Sequence, residues 1–247
     1  MKLAVTNGIF ALLIAMSTGP LVSAQTGSPP QSASIVVAKM MGLDAQRQSE
    51  LAGYAAVRRY VAVNKKRRAE MLVRVTCGSD GAKQFSILSE EGSGAIRKHV
   101  FYKILQEETE ASRRGTRNST RLTPENYDFY LVGKETLETG PAYVLSVVPK
   151  TENKYLIDGK IWVDAKDYAI VRIEGQPARN PSFWVHNVHF VHTYRKVHQF
   201  WFASSTQTSS HVRFFGDAEL TIENSGYALN PEPVYTQGRS QEAKLTR

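Results

Sequence analysis

The sequence predicts a mainly β protein with two or more helices, arranged as a half-open, curved antiparallel β-barrel of about eleven strands with a helical lid. Three observations predict it. Apolar residues alternate with a period of two through most of the chain. Only two stretches, 34–51 and 93–114, carry the helical period. The links between period-two stretches are short, and short links join neighbouring strands antiparallel. Two helices cannot cover both faces of so many strands. The sheet must therefore curl or split, and one curled sheet with helices on its open side buries one face of each. That architecture makes a ligand cavity natural.

The chain has 247 residues, 42% of them hydrophobic and 22% charged, which excludes a disordered chain, a collagen-like repeat and a disulfide-stapled miniprotein. Residues 1–24 read as a secretory signal peptide. Lys2 is its positive start, Ile9 to Met16 its apolar run, and Val22-Ser23-Ala24 its cleavage site, so cleavage is expected after Ala24. The apolar run is about half the ~20 residues of a spanning helix, and no later run approaches that length. An exported chain is expected, periplasmic in a cell with two membranes. Export argues against nucleic acid as a partner, despite a formal charge of +8. Residues 25–32 form a Gly/Ser/Pro-rich linker, 33–227 a single domain, and 228–247 a flexible polar tail.

Ser32 or Ser34 starts the first helix, whose Val36, Met40 and Leu43 make one stripe widened by Val37 and Met41. From Gly53 the period becomes two. The stretches 54–63, 69–77 and 83–89 read as a meander, with turns at Asn64–Arg67 and Gly78–Gly81. In the first of these the odd residues Ala55, Val57, Arg59, Val61 and Val63 form the more apolar face. In the second, Met71, Val73, Val75 and Cys77 share a face. The second helix follows, with Ile96, Val100, Phe101, Ile104 and Leu105 on its stripe, and a basic loop runs from Ser112 to Thr123. Further strands are expected at 126–134, 142–149, 155–164, 168–175, 183–195, 198–207, 210–216 and 217–224.

Five of the six histidines fall in 186–211, which invites a metal site. In a strand, however, His186 and His189 point to opposite faces, and His186 and His192 stand about 20 Å apart, so ordinary sheet residues are the better reading. Aromatic residues crowd the same region, from Phe183 and Trp184 to Phe214 and Phe215, with Phe200, Trp201 and Phe202 placing rings on both faces of one strand. Arg59 falls on an apolar face, where a charge is rare unless paired. It would bond a lid helix or an anionic headgroup there, unless a bulge turns it to solvent. Lys65, Lys66, Arg67 and Arg68 make a basic turn, either solvated or docked on an anionic membrane or acidic partner. Arg113, Arg114 and Arg117 make a second basic loop. Cys77 is single and faces the apolar side, so an inert thiol is expected. No nucleophile, zinc or phosphate-loop motif is present. Asp158, Asp164 and Asp167 stand beside turns. No enzyme activity, metal or cofactor is expected.

Residues 158–175, DGKIWVDAKDYAIVRIEG, resemble a hairpin of the LolA/LolB-like superfamily, in which a G-x-I/V-W-V-D strand turns into one ending R-x-E. Residues 126–133 and 143–150, and Phe200-Trp201-Phe202, also look like its outer-membrane lipoprotein-sorting branch. The resemblance covers most of 50–227. It implies an apolar concave face that holds acyl chains beneath a helical lid, with an early-strand arginine comparable to Arg59 keeping the lid closed. It implies that Arg59, Val57, Val61, Met71, Val73, Phe101, Trp162, Trp184, Phe190 and Trp201 line the ligand space. The expected function is a monomeric periplasmic carrier of lipoprotein or lipid acyl chains, working with a membrane-protein donor or acceptor. An RseB-like envelope sensor is the alternative, and a secreted hydrolase ranks last.

Overall fold

The computed structural model describes residues 32–112, 119–180, 183, 185–213 and 216–229. The expected signal peptide, nearly all of the linker, Trp184 and most of the expected tail lie outside these residues.

Helix α1 (Ala33–Glu50) opens the described chain. Strands β1 (Gly53–Asn64), β2 (Arg68–Gly78) and β3 (Lys83–Gly92) follow as a meander. A helical run comes next: α2 (Gly94–Ile96), a π-helical turn (Arg97–Phe101) and α3 (Tyr102–Ser112). A second meander completes the fold, with β4 (Tyr127–Leu137), β5 (Gly140–Pro149), β6 (Ile157–Asp164), β7 (Ile170–Pro177), β8 (Val185–Val197), β9 (Phe200–Val212) and β10 (Gly216–Leu229).

These strands make one antiparallel sheet in the order β3-β2-β1-β10-β9-β8-β7-β6-β5-β4. The last strand thus returns to pair with the first, joining the two meanders at the β1–β10 seam. The sheet is curved and unclosed, with β3 and β4 as its free edges. The helical run links those edges in the chain. The half-open curved sheet with a helical lid is therefore as the sequence predicts.

The strand count is ten among the described residues, against the expected eleven. The expected strand at 210–216 is not separate. β9 runs on to Val212 because its far half pairs with β8 and β10 at once, and the stretch from Gly216 belongs to β10.

The inner, helix-covered face holds two cores. Under α1, Val36, Val37 and Met40 pack on Tyr143, Leu145, Val147, Ile161, Val163 and Ile173 of β5, β6 and β7. Under the helical run, Ile96, Phe101 and Leu105 pack on Tyr60, Ala62, Ala69, Met71 and Val73 of β1 and β2. A small outer cluster joins Ala142, Val144, Trp162 and Val171. Each helix thus serves one meander.

The inward face of β1 is the even set, not the odd set expected. Ala56, Arg58, Tyr60 and Ala62 are buried, while Val57, Arg59 and Val61 lie on the outer face. Both faces of this strand carry apolar residues, so alternation alone is ambiguous, and a one-residue shift exchanges them all. The seam fixes the choice. The pairing slips between Ala55 and Val57, where Gly226 and Tyr227 of β10 together oppose Ala56, one residue more than β1 supplies, with Gly226 at φ +60°. Tyr60 fills the space under Phe101, and the two alanines let the helical run approach.

At β6 and β7, Gly159 faces Gly175. A Cβ on Gly159 would lie 2.1 Å from the Glu174 carbonyl oxygen, and one on Gly175 2.3 Å from that of Asp158. Both backbones must move if either residue gains a side chain. Gly159→Ala is expected to lower the thermal midpoint by about 5 °C, the scale of roughly 2 kcal/mol in a domain of this size. An unchanged midpoint by circular dichroism would show that the strands part without cost.

Candidate functional site: a cavity and a charged latch under the helices

The two cores are separate clusters. Beside the α1 core lies a cavity of about 490 Å³. Met40, Met41 and Leu51 line it from α1 and its end. Tyr54 and Arg58 come from β1, Lys83 from β3, Tyr194 from β8, Phe200 to Ala203 from β9, and Tyr227 from β10. All the strand residues come from the end of the sheet where β1 begins and β10 finishes. Tyr54, Phe202 and Tyr227 form an aromatic cluster with centroid separations of 4.6–5.8 Å. The Tyr227 hydroxyl donates to the Ala203 carbonyl at 2.6 Å, which fixes its ring. Burial pushes the Tyr194 and Tyr227 hydroxyls up to about 12, so both stay neutral.

At the helical-run side of the cavity stands a buried charge. Arg58 is only 7% exposed. Its Nε donates to Asn224 Oδ1 at 2.7 Å, and its Nη1 to Glu108 Oε2 at 2.6 Å and to the Tyr60 hydroxyl at 3.2 Å. Its guanidinium also lies near the rings of Tyr60 and Phe85. Glu108 is carried by α3. Its other oxygen accepts from Lys83 Nζ at 2.7 Å. Ser112, near the end of α3, accepts from the Lys83 backbone N–H at 3.2 Å. The lid helix is thus tied to β1 and β3 through polar contacts beside the cavity, while its apolar contacts lie farther along, at Ile96, Phe101 and Leu105. Burial opposes the charge on both partners. For Glu108 the Lys83 and Arg58 charges outweigh it, so its pKa falls below the usual carboxylate range. For Arg58 the Glu108 and Tyr60 contributions likewise win, and the guanidinium stays charged.

The expected site residues divide sharply. Arg59 is on the outer face, where Glu70 takes its Nε and Nη2 at 2.5 and 2.8 Å and Glu223 stands 3.4 Å from Nη1. The arginine next to it, Arg58, holds the lid. Val57 and Val61 share the outer face with Arg59. Trp162 is also outside, in the outer cluster, with its Nε1 donating to Glu135 at 2.8 Å and Arg172 over its ring. Met71, Val73 and Phe101 are inside but fully buried in the core beneath the helical run, away from the cavity. Phe190 packs on the α1 core beside His192. Trp201 packs on the outer cluster and reaches the cavity rim, its Nε1 donating to Asp167 at 3.0 Å. Asp164, expected to serve a turn, accepts from the Lys166 and Asp167 backbone N–H groups.

Sequence reasoning missed Arg58, Glu108, Lys83, Tyr54 and Tyr227. The available signal was the tyrosine pair Tyr54 and Tyr60, which marks the even face of β1 by size. The histidines are used one at a time. His192 Nδ1 bonds Thr206 Oγ1 at 2.7 Å, and His211 Nδ1 lies 2.9 Å from Asp217. Among the described residues no group of three or more His, Cys, Asp or Glu could hold a metal ion.

No family model matches the chain, and no curated protein does. Solved structures similar to it include a DUF1329 family protein from Desulfovibrio piger, at 10% identity and TM-score 0.44, over 82% of this chain and 95% of that one. A putative outer membrane lipoprotein-sorting protein domain from Vibrio parahaemolyticus is similar at 13% identity and TM-score 0.38, over 78% and 94%. A LolA superfamily protein from Nitrosomonas europaea is similar at 9% identity and TM-score 0.37, over 82% and 96%.

Two acid limbs of stability are expected. Burial pushes His192 from 6.5 down to about 4, so the unfolded chain takes up its proton first. The His192 contribution is complete above pH 6.5 and is lost as the pH falls towards 4. The Glu108 contribution is lost at lower pH, below the ordinary carboxylate value of about 4.3. Urea unfolding across pH should show His192→Asn flattening the upper limb alone. At pH 7, Glu108→Leu strands the Arg58 charge and should cost about 3 kcal/mol, while Arg58→Leu with Glu108→Leu should recover most of it. A double variant no more stable than the single one would show that the pair is not the tie.

Proposed function

We propose that this chain is an exported acyl-chain carrier of the cell envelope, holding the chains of a lipid or lipoprotein in the inner cavity and releasing them when α3 parts from the sheet. The observation that carries this reading is the cavity itself. Its volume of about 490 Å³ is within the 300–1,000 Å³ usual for ligand sites, and its wall combines apolar and aromatic residues with a polar rim that includes Asp44, Arg47, Arg58, Lys83 and Arg121. The resemblance of residues 158–175 and the expected signal peptide support the same reading, including a periplasmic location in a cell with two membranes.

The latch gives the reading a mechanism. Closing α3 neutralises Arg58 and holds Arg58 and Lys83, two residues of the cavity wall, through Glu108. Opening exposes apolar surface, and a bound acyl chain offsets that exposure. The two states then differ little in free energy, and cargo shifts their populations through its differential contacts. The residues assigned are Tyr54, Tyr194, Phe202 and Tyr227 for the chain, and Arg58, Lys83 and Glu108 for the lid. No covalent step is required. A membrane-protein donor or acceptor would deliver and remove the cargo.

The test is to export the chain, purify it without detergent and weigh it by native mass spectrometry. One acylated species per chain is expected. A chain that emerges empty and ignores a fluorescent fatty-acid probe overturns the reading. Given probe binding, Arg58→Leu combined with Glu108→Leu should speed probe release by about tenfold or more, because a directional tie is replaced by slack apolar contact. An unchanged release rate would remove the latch from the mechanism.

A further inference from the structure

The cavity occupies one end of the sheet, and the other end is different in kind. There the β1–β2 turn is held rigid. Asn64 Oδ1 accepts from the backbone N–H groups of Lys66 and Arg67 at 3.0 and 2.8 Å, and the Asn64 N–H donates to the Arg67 carbonyl at 2.9 Å. The turn presents Lys65, Lys66, Arg67 and Arg68 outward, all exposed. The ladder places the β9–β10 connection beside it, since Asn64 pairs with Ala218 and Gly216 with Val212. Exposed Arg213 lies there, with its guanidinium 4.5 Å from the centroid of the Phe183 ring. Phe183 belongs to the β7–β8 connection and is 67% exposed, more than any other large hydrophobic residue described. Arg179 is exposed in the same connection.

Six cations therefore gather on three adjacent turns around one projecting ring. The exposed carboxylates nearby, Glu91, Asp217 and Glu219, sit on the flanking strands rather than on the turns. Asp217 is already engaged by His211, and Glu70 by Arg59 and Arg68. A solvated turn has no use for an exposed phenylalanine. An acidic protein face would pair with the cations but offers no apolar layer for the exposed ring. An anionic bilayer uses both, since phosphate headgroups meet the cations and the ring enters the interface.

We propose that this end of the sheet is a docking surface for an anionic phospholipid membrane, with Lys65, Lys66, Arg68, Arg179 and Arg213 facing the headgroups and Phe183 inserted between them. Tyr54 at the cavity and Lys65 at the turn are joined by nearly the whole of β1, about 35 Å of strand at ~3.2 Å per residue. Docking in this way leaves the cavity facing away from the bilayer, open to a partner in the aqueous space. The surface stands independently of what the cavity holds.

The experiment is co-sedimentation of the full chain with vesicles of phosphatidylglycerol and phosphatidylcholine, beside vesicles of phosphatidylcholine alone. Binding to the anionic vesicles only is expected, and it should fall away in high salt. Lys65→Gln with Lys66→Gln should weaken it by about 30-fold, from the attraction each basic residue contributes at a charged surface. Phe183→Ser should weaken it without changing the salt dependence. Circular dichroism and loading of the fatty-acid probe, measured on the same variants, should match the unsubstituted chain. Equal binding to both vesicle types, binding to neither, or variants that bind as tightly as the original would each overturn the proposal. So would binding to polyglutamate but not to vesicles, which would make the surface an acidic-protein site. Failure of probe loading with vesicle binding intact would count against the carrier reading alone.

Discussion

A guanidinium buried on the inner face of an open sheet has to be neutralised, and that requirement organises this protein. Arg58 gives up most of its water by sitting between Ala56 and Tyr60. Asn224 across the seam supplies one acceptor, but the carboxylate that balances the charge comes from α3. The position of the lid is therefore written into the electrostatics of β1. An apolar helix face can slide on an apolar sheet at small cost, whereas a bonded pair has one geometry. Lys83 adds a second strand to the tie, so β1, β3 and β10 must all be in register before Glu108 finds its place.

The same arrangement explains why the sheet stays open. The chain leaves β3 as a helix and returns as β4, so the segment that could have joined the edges lies over the inner face instead. α3 lies against β3 and α1 against β4, and each edge strand thereby gains a helix beside it. The remaining exposure is managed by irregularity and charge. β4 carries a bulge between Leu131 and Gly133, with Lys134 and Glu135 just beyond it, and β3 ends in Glu90 and Glu91. Free edges with such features resist pairing with other chains.

Much of this was legible in the sequence. The period-two stretches located the strands closely, and both helical stripes lie where their spacing puts them. Within 158–175 the expected hairpin forms, with a close Gly159–Gly175 approach and the Asp164 turn at its tip. What was not legible had two causes. In β1 the valines argued for one face and the tyrosines for the other, and the bulge that decides between them is a property of β10, more than 150 residues away in sequence. In the sequence Glu108 is one of several charged residues, with Arg97, Lys103 and Glu107, that fall off the apolar stripe of the second helix. Its role depends on which face of β1 points inward, so one error of register concealed both halves of the latch. The merging of the expected strand at 210–216 into β9 has the same character, because strand length there is set by two neighbours at once.

The division of labour along the strands follows from what each end can bury. At the cavity end α1 lies over the β6–β7 turn, where Arg47 donates to the Asp167 carbonyl, and large rings stand on the sheet, so apolar matter can be sheltered there. At the other end the β1–β2 and β9–β10 turns carry exposed cations. Charges there cost little in desolvation and act over a Debye length of about 8 Å at physiological ionic strength. With the two proposed sites, a single chain would carry a short-range recognition site and a longer-range, electrostatic one, separated by the length of its own strands. Cargo held by Tyr54, Phe202 and Tyr227 would report to the latch that α3 closes, and hardly at all to Lys65 and Arg213. A protein built this way would approach a charged surface without opening, and open without leaving it.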